Sequence, residues 1–74
     1  MRIATLVYRF DYRVPGHHVN FEFWSCGRGW EVRACIDGTL ARSQSFVTLA
    51  SAAHWAEEER LAMQEEEEQR AHGR

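Results

Sequence analysis

Histidine, cysteine and serine are the side chains of this chain whose chemistry could reach beyond packing. His17 and His18 stand side by side after Pro15-Gly16, and Cys26 and Cys35 lie on either side of Gly27-Arg28-Gly29. A structural zinc site needs four converging ligands, usually including one close Cys-x₂₋₄-Cys pair. Cys26 and Cys35 are too far apart for that, so no metal is expected, and the histidine pair reads as a solvated loop. One disulfide between the two cysteines is conceivable on paired strands, but a reducing cytosol favours free, half-buried thiols. Nucleophilic catalysis needs a Ser or Cys with a positioned His and an oxyanion hole. Ser43, Ser45 and Ser51 fall on an expected edge strand and a first helical turn, with His54 just beyond Ser51, and they read as surface polar residues. The Gly-Arg-Gly stretch lacks the lysine and the spacing of a phosphate-binding loop. No enzyme activity and no cofactor are expected.

Composition narrows the class further. The chain has 74 residues, 45% of them hydrophobic, with nine Phe, Tyr and Trp. That suffices for one domain with a modest core near the lower size limit for folding alone. No run of about 18 apolar residues is present, so no membrane span is expected. The N-terminal stretch alternates like a strand and not like a signal peptide, and a cytoplasmic location is the expectation. All nine basic residues are arginine. Residues 1–56 carry six arginines against four acids, and residues 57–74 carry three against seven glutamates. The body is weakly basic and the end is acidic, whereas a dedicated nucleic-acid binder depends on a strong basic excess for its phosphate contacts.

The elements that would position these residues follow from period and punctuation. Residues 3–12 alternate, with Ala4, Leu6, Tyr8, Phe10 and Tyr12 on one face of a strand. Pro15-Gly16 marks a turn. Residues 19–25 alternate next, with Val19, Phe21 and Phe23 on one side and Asn20, Glu22 and Trp24 on the other. A glycine turn leads to residues 30–36, which put Trp30, Val32, Ala34 and Ile36 inward and Glu31, Arg33 and Cys35 outward. Asp37-Gly38 is the preferred dipeptide of a tight hairpin. Residues 39–46 form a last strand whose weak alternation suits an edge. Thr48 is placed to cap a helix, in which Leu49, Ala52, Ala53, Ala56 and Met63 recur at helical spacing, flanked by Trp55 and Leu61. The expected fold is α+β: a four-stranded antiparallel meander with one C-terminal helix packed on one face. Residues 1–66 form the single compact ββββα domain, and residues 67–74 a polar, acidic tail that frays, since glutamates at a helix C-terminus oppose its dipole.

Trp30, Gly38, Phe46, Thr48, Ala52 and Trp55 carry a resemblance. The stretch from Gly29 to Trp55 looks like the arm-type DNA-binding domain of phage integrases (tyrosine recombinases), with its strand-opening Trp, glycine turn and Phe-x-Thr-x-x-x-Ala-x-x-Trp clasp. The resemblance implies three strands and a helix, and a sheet face opposite the helix that enters the major groove. The same outline, more loosely, is similar to small phage-encoded anti-CRISPR proteins.

On the face opposite the helix this chain places Asn20, Glu22, Trp24, Glu31, Arg33, Cys35, Ser43 and Ser45. Glu31 flanks Arg33 and Glu22 faces it, which neutralises the one arginine and would repel phosphate. A bulge in the last strand would add Arg42 and Gln44 to that face. Aromatic and arginine side chains dominate binding hot spots, and Trp24 with Arg33 is such a pair. The acidic run Glu65–Glu68 would mimic phosphate on a basic partner surface. These features point to a small non-enzymatic protein-binding module of phage or mobile-element type, an anti-CRISPR-like inhibitor of a nucleic-acid-processing complex. Trp24, Arg33, Glu22, Glu31, Arg42 and Gln44 are its contact residues and a protein is its partner. The alternative is a stand-alone DNA-binding domain resembling the integrase arm module.

Overall fold

Alternating apolar residues and three two-residue turns bring four strands together in sequence order. In a computed structural model, which describes residues 3–72 and side chains through 66, these are β1 (Ala4–Val14), β2 (His17–Cys26), β3 (Gly29–Ile36) and β4 (Thr39–Phe46), followed by helix α1 (Leu49–His72). They form one antiparallel sheet in the order β1-β2-β3-β4. The helix lies across β3 and β4 and reaches β1 at Tyr12, whose hydroxyl donates to Met63 Sδ at 3.3 Å. Burial pushes the Tyr12 phenol up from its ordinary pKa, so it stays a neutral donor.

The register makes the helix-side face apolar. Phe10 stands opposite Phe21, Phe21 opposite Ala34, and Phe23 opposite Val32. Val19, Phe21, Phe23, Val32 and Ala34 are buried, and Ala52 and Ala56 close the core from the helix. Two alanines at helical spacing let the helix backbone approach the sheet, and Trp55 fills the space beside them, 5.8 Å from the Phe46 ring. Thr48 caps the helix: its Oγ1 accepts from the Ser51 backbone N–H at 3.1 Å, and the Ala52 N–H reaches its carbonyl.

Two bulges alter the faces expected from alternation. Leu6 pairs with Trp24 while Tyr8 pairs with Phe23, so Val7 is the extra residue. Ala4 and Leu6 therefore lie on the outer face and not beside Tyr8, Phe10 and Tyr12. The second bulge, at Ala41, sits between Cys35–Leu40 and Ala34–Arg42. It sends Leu40 outward and leaves Arg42 and Gln44 on the helix side. At each bulge two residues of one strand oppose one of its partner, which exchanges the faces of the side chains beyond it.

Two further expectations are corrected. His17 and His18 open β2 and do not lie in a loop. The helix passes Glu66 and continues to His72, so residues 67–72 have helical backbone where a frayed tail was expected. Glu, Gln, Arg and Ala favour helix, and the first poor helix former in that stretch of sequence is Gly73. Side chains beyond Glu66 lie outside the described residues.

Asp37-Gly38 closes the last hairpin with φ of 52° and 83°, the two left-handed positions that a tight hairpin turn requires. Asp37 also ties this turn to the start of β2. Its Oδ1 accepts from the His18 backbone N–H at 2.9 Å, and its Oδ2 lies 2.8 Å from His17 Nδ1. These bonds, the His18 N–H first, hold the Asp37 carboxyl below its ordinary value of 3.8. A carboxyl with a lower pKa in the folded than in the unfolded chain stabilises the fold above its unfolded pKa, and that contribution is lost as pH falls through the folded value. Melting temperature measured against pH should show wild type above Asp37→Asn at neutral pH and the two converging in acid. Parallel curves would show that the charge of Asp37 contributes nothing.

Gly29 marks a close approach of a different kind. A Cβ there would lie 2.7 Å from the Phe46 carbonyl oxygen, so β3 and β4 meet at this end only because position 29 has no side chain.

Candidate binding face

Strand register alone brings four of the expected contact residues together on the outer face. Glu22 stands opposite Arg33 and Trp24 opposite Glu31 on the adjacent strands β2 and β3. The side chains then cross-link diagonally and along each strand. The Arg33 guanidinium lies over the Trp24 ring, 4.6 Å from its centroid. The Trp24 indole N–H donates to Glu22 Oε1 at 3.0 Å, and Arg33 Nη2 donates to Glu31 Oε1 at 3.2 Å. That last bond raises the Arg33 pKa further, so its charge is permanent. All four residues are half-buried, although no element of the described chain covers this face.

The result is a rigid plate. A guanidinium stacked on an indole loses little mobility on binding, and each polar edge already has a partner. Two carboxylates accompany one guanidinium, so the cluster carries a net negative charge and is a poor phosphate receptor. Ser43 and Ser45 flank it on β4, opposite Arg33 and Glu31. On the β1 side, exposed Leu6 stands beside Trp24. Alternation had assigned Leu6 to the opposite face, and only the bulge at Val7 reveals it. Farther along the same face, Asp11 Oδ1 lies 3.2 Å from Arg9 Nη2 and 3.4 Å from His18 Nε2, another self-balanced set.

Arg42 and Gln44 do not join this face, although β4 does bulge. Arg42 points to the helix, where its Nη1 donates to Glu59 Oε1 at 2.9 Å, and Gln44 stands opposite buried Val32. The bulge at Ala41 precedes both residues and shifts Leu40 in their place.

Ser51 and His54 are engaged within the helix. Ser51 Oγ receives the Thr48 hydroxyl hydrogen at 3.0 Å as part of the helix cap, and His54 Nε2 lies 3.2 Å from Glu58 Oε2. Cys26 and Cys35 are free thiols, both half-buried on the outer face. Among the described residues no three His, Cys, Asp or Glu side chains are gathered to hold a metal ion, and no helix is long and apolar enough to cross a membrane.

A second feature, not foreseen from the sequence, lies on the helix side. The diagonal path of α1 leaves the first half of β1 uncovered and opens a groove of about 370 Å³ lined by Val7, Tyr8, Phe10, Phe23, Trp30 and Leu49, with Glu57 at its rim. Tyr8 is 59% exposed and Val7 55%. No protein-family model, curated protein or solved structure matches the chain.

Proposed function

We propose that this chain is a protein-binding module that acts by occupying its partner and performs no catalysis of its own. The observation that carries this reading is the Trp24–Arg33 stack, held between Glu22 and Glu31 on an uncovered sheet face. It offers an aromatic plate and a guanidinium already fixed in place, the side-chain types that dominate protein interfaces. The finer reading is an anti-CRISPR-like inhibitor of a nucleic-acid-processing complex, of phage or mobile-element type. Its support is the acidic helix, which presents exposed Glu65 and Glu66 to a basic surface, charge that would steer association. Glu57 and Glu59 are engaged by Arg60 and Arg42, so the acid available to a partner lies toward the helix end.

DNA binding through the same face, as the integrase arm module would have it, is the second reading. The clasp favours it: Trp30 stands opposite Phe46, Thr48 caps the helix, Ala52 is buried and Trp55 packs on Phe46. Each of those residues also has a purely structural task.

Trp24→Ala and Arg33→Glu should each weaken capture of a host-lysate partner while the circular dichroism spectrum stays native. Removing a central aromatic should cost at least about 2 kcal/mol of binding, roughly thirtyfold in affinity. Duplex DNA titrated in a gel shift should not bind at low salt. Salt-dependent DNA binding abolished by Arg33→Glu would replace the protein-binding reading with the second one. Partner capture unaffected by both substitutions would remove the outer face as the site.

A further inference from the structure

We propose that the free edge of β1 pairs antiparallel with β1 of a second copy of this chain, about a two-fold axis at Phe10, to give a continuous sheet across the dimer. This goes beyond the binding reading above and uses a different surface.

β1 is an edge strand and, at 11 residues, the longest in the sheet. A long edge with exposed apolar side chains is a template for another strand unless something covers it. Here α1 meets β1 at Tyr12 through Met63, and Val7 and Tyr8 are more than half exposed. The other edge, β4, is shorter, and its bulge disrupts pairing at Ala41.

Charge order selects the second copy as the occupant. β1 reads Tyr8-Arg9-Phe10-Asp11-Tyr12, a segment that is its own complement when reversed. With the axis at Phe10, Arg9 stands opposite the partner's Asp11 and Asp11 opposite the partner's Arg9. Phe10 meets the partner's Phe10, and Tyr8 meets the partner's Tyr12. Centring the axis on Arg9 would place two arginines face to face, and centring it on Asp11 would do the same with two aspartates. Like charges directly opposite are destabilising, which removes both of those registers. An axis at Tyr12 would set Asp11 opposite the partner's Arg13 but would bring the two helices together where Met63 sits on Tyr12, so the Phe10 register is the one we take. Within one chain Arg9 and Asp11 already lie 3.2 Å apart, and the dimer joins two such pairs into a four-charge cluster.

The geometry of the rest is consistent with this pairing. A two-fold axis relating antiparallel edge strands is perpendicular to the sheet, so both helices lie on the same side. The aromatic stripes Tyr8, Phe10 and Tyr12 of the two copies become one layer. The open groove beside Tyr8 then faces the partner's Tyr12 and the Met63 seated on it. The bulge at Val7 limits the regular ladder to the five residues Tyr8–Tyr12.

Sedimentation velocity over a range of protein concentrations tests the proposal. Wild type should show a reversible monomer–dimer equilibrium. Arg9→Asp and Asp11→Arg should each weaken it roughly thirtyfold, because two symmetry-related attractions become repulsions. An equimolar mixture of the two variants should restore a dimer, since every cross-strand pair between them is again opposite in sign. The double variant Arg9→Asp/Asp11→Arg should dimerise like wild type, and it keeps the charge pair within each chain should a single variant fail to fold. A wild type that stays monomeric would overturn the proposal, as would a mixture and a double variant that both stay monomeric. Species growing beyond the dimer with concentration would also overturn it, because they would indicate open-ended pairing of β1 with β4. Trp24→Ala leaves this equilibrium unchanged if the two surfaces are separate, so failure of one reading does not decide the other.

Discussion

Phe21→Ala should leave the chain largely unfolded in buffer at room temperature. Phe21 is fully buried at the middle of β2, the strand that pairs with both β1 and β3. Its ring lies 5.2 Å from Phe10 and 6.0 Å from Tyr12, so truncation removes the centre of the aromatic layer and not a peripheral contact. Phe→Ala in a core costs about 3–5 kcal/mol. A domain of this length has a total stability of about 4–11 kcal/mol on a per-residue scale, and small domains sit toward the lower end. Urea unfolding followed by far-ultraviolet circular dichroism measures the effect. Phe21→Leu, which keeps most of the volume, should cost under about 1.5 kcal/mol and retain a cooperative transition. If Phe21→Ala unfolded at the wild-type urea midpoint, the core would not be where the aromatic layer places it.

Trp55→Ala should lower stability by about 2–3 kcal/mol, less than a fully buried aromatic because Trp55 keeps part of its surface in water. It is the one large side chain the first turns of α1 press onto the sheet, meeting Phe46 at 5.8 Å. The alanines on either side of it cannot fill the space it would leave. Loss of helix docking exposes Val32 and Ala34, and a four-stranded sheet with one bare apolar face does not persist by itself. The transition should therefore stay single and move to lower urea, with helix and sheet signals lost together. An unchanged midpoint would show that Ala52, Ala56 and Met63 hold the helix unaided. A helix signal lost before the sheet signal would show that the two are separate cooperative units.

Some of this molecule is legible residue by residue. Pro15-Gly16 and Asp37-Gly38 constrain φ locally, and the hairpins follow from them. Val19, Phe21 and Phe23 alternate with Asn20, Glu22 and Trp24, and the structure sets those two rows on opposite faces. Thr48 before an alanine-rich run caps a helix because its hydroxyl reaches the N–H three residues on. The opposition of Glu22 and Arg33 also follows from counting residues back from the turn between β2 and β3.

What only the tertiary structure decided concerns residues whose own preferences are divided. Leu6 and Val7 are both apolar, so either could face the core, and the pairing of β1 with β2 settles it with a bulge. Arg42 is turned to the helix by the shift at Ala41 and held there by Glu59, a partner in another element. Trp24 bonds to Glu22 and stacks under Arg33, which no spacing rule announces because it depends on rotamers chosen jointly by three side chains. Leu49 in the helical stripe and Leu61 beside it are about half exposed, while Ala52 and Ala56 are buried. The diagonal path of α1, set by where alanines permit close approach, decides which apolar residues are covered and leaves the groove beside Tyr8 open. Turn chemistry, alternation and capping act through neighbouring residues and can be read in order along the chain. Bulge position, helix path and side-chain stacking minimise a free energy summed over residues far apart in sequence, and only the folded arrangement brings those together.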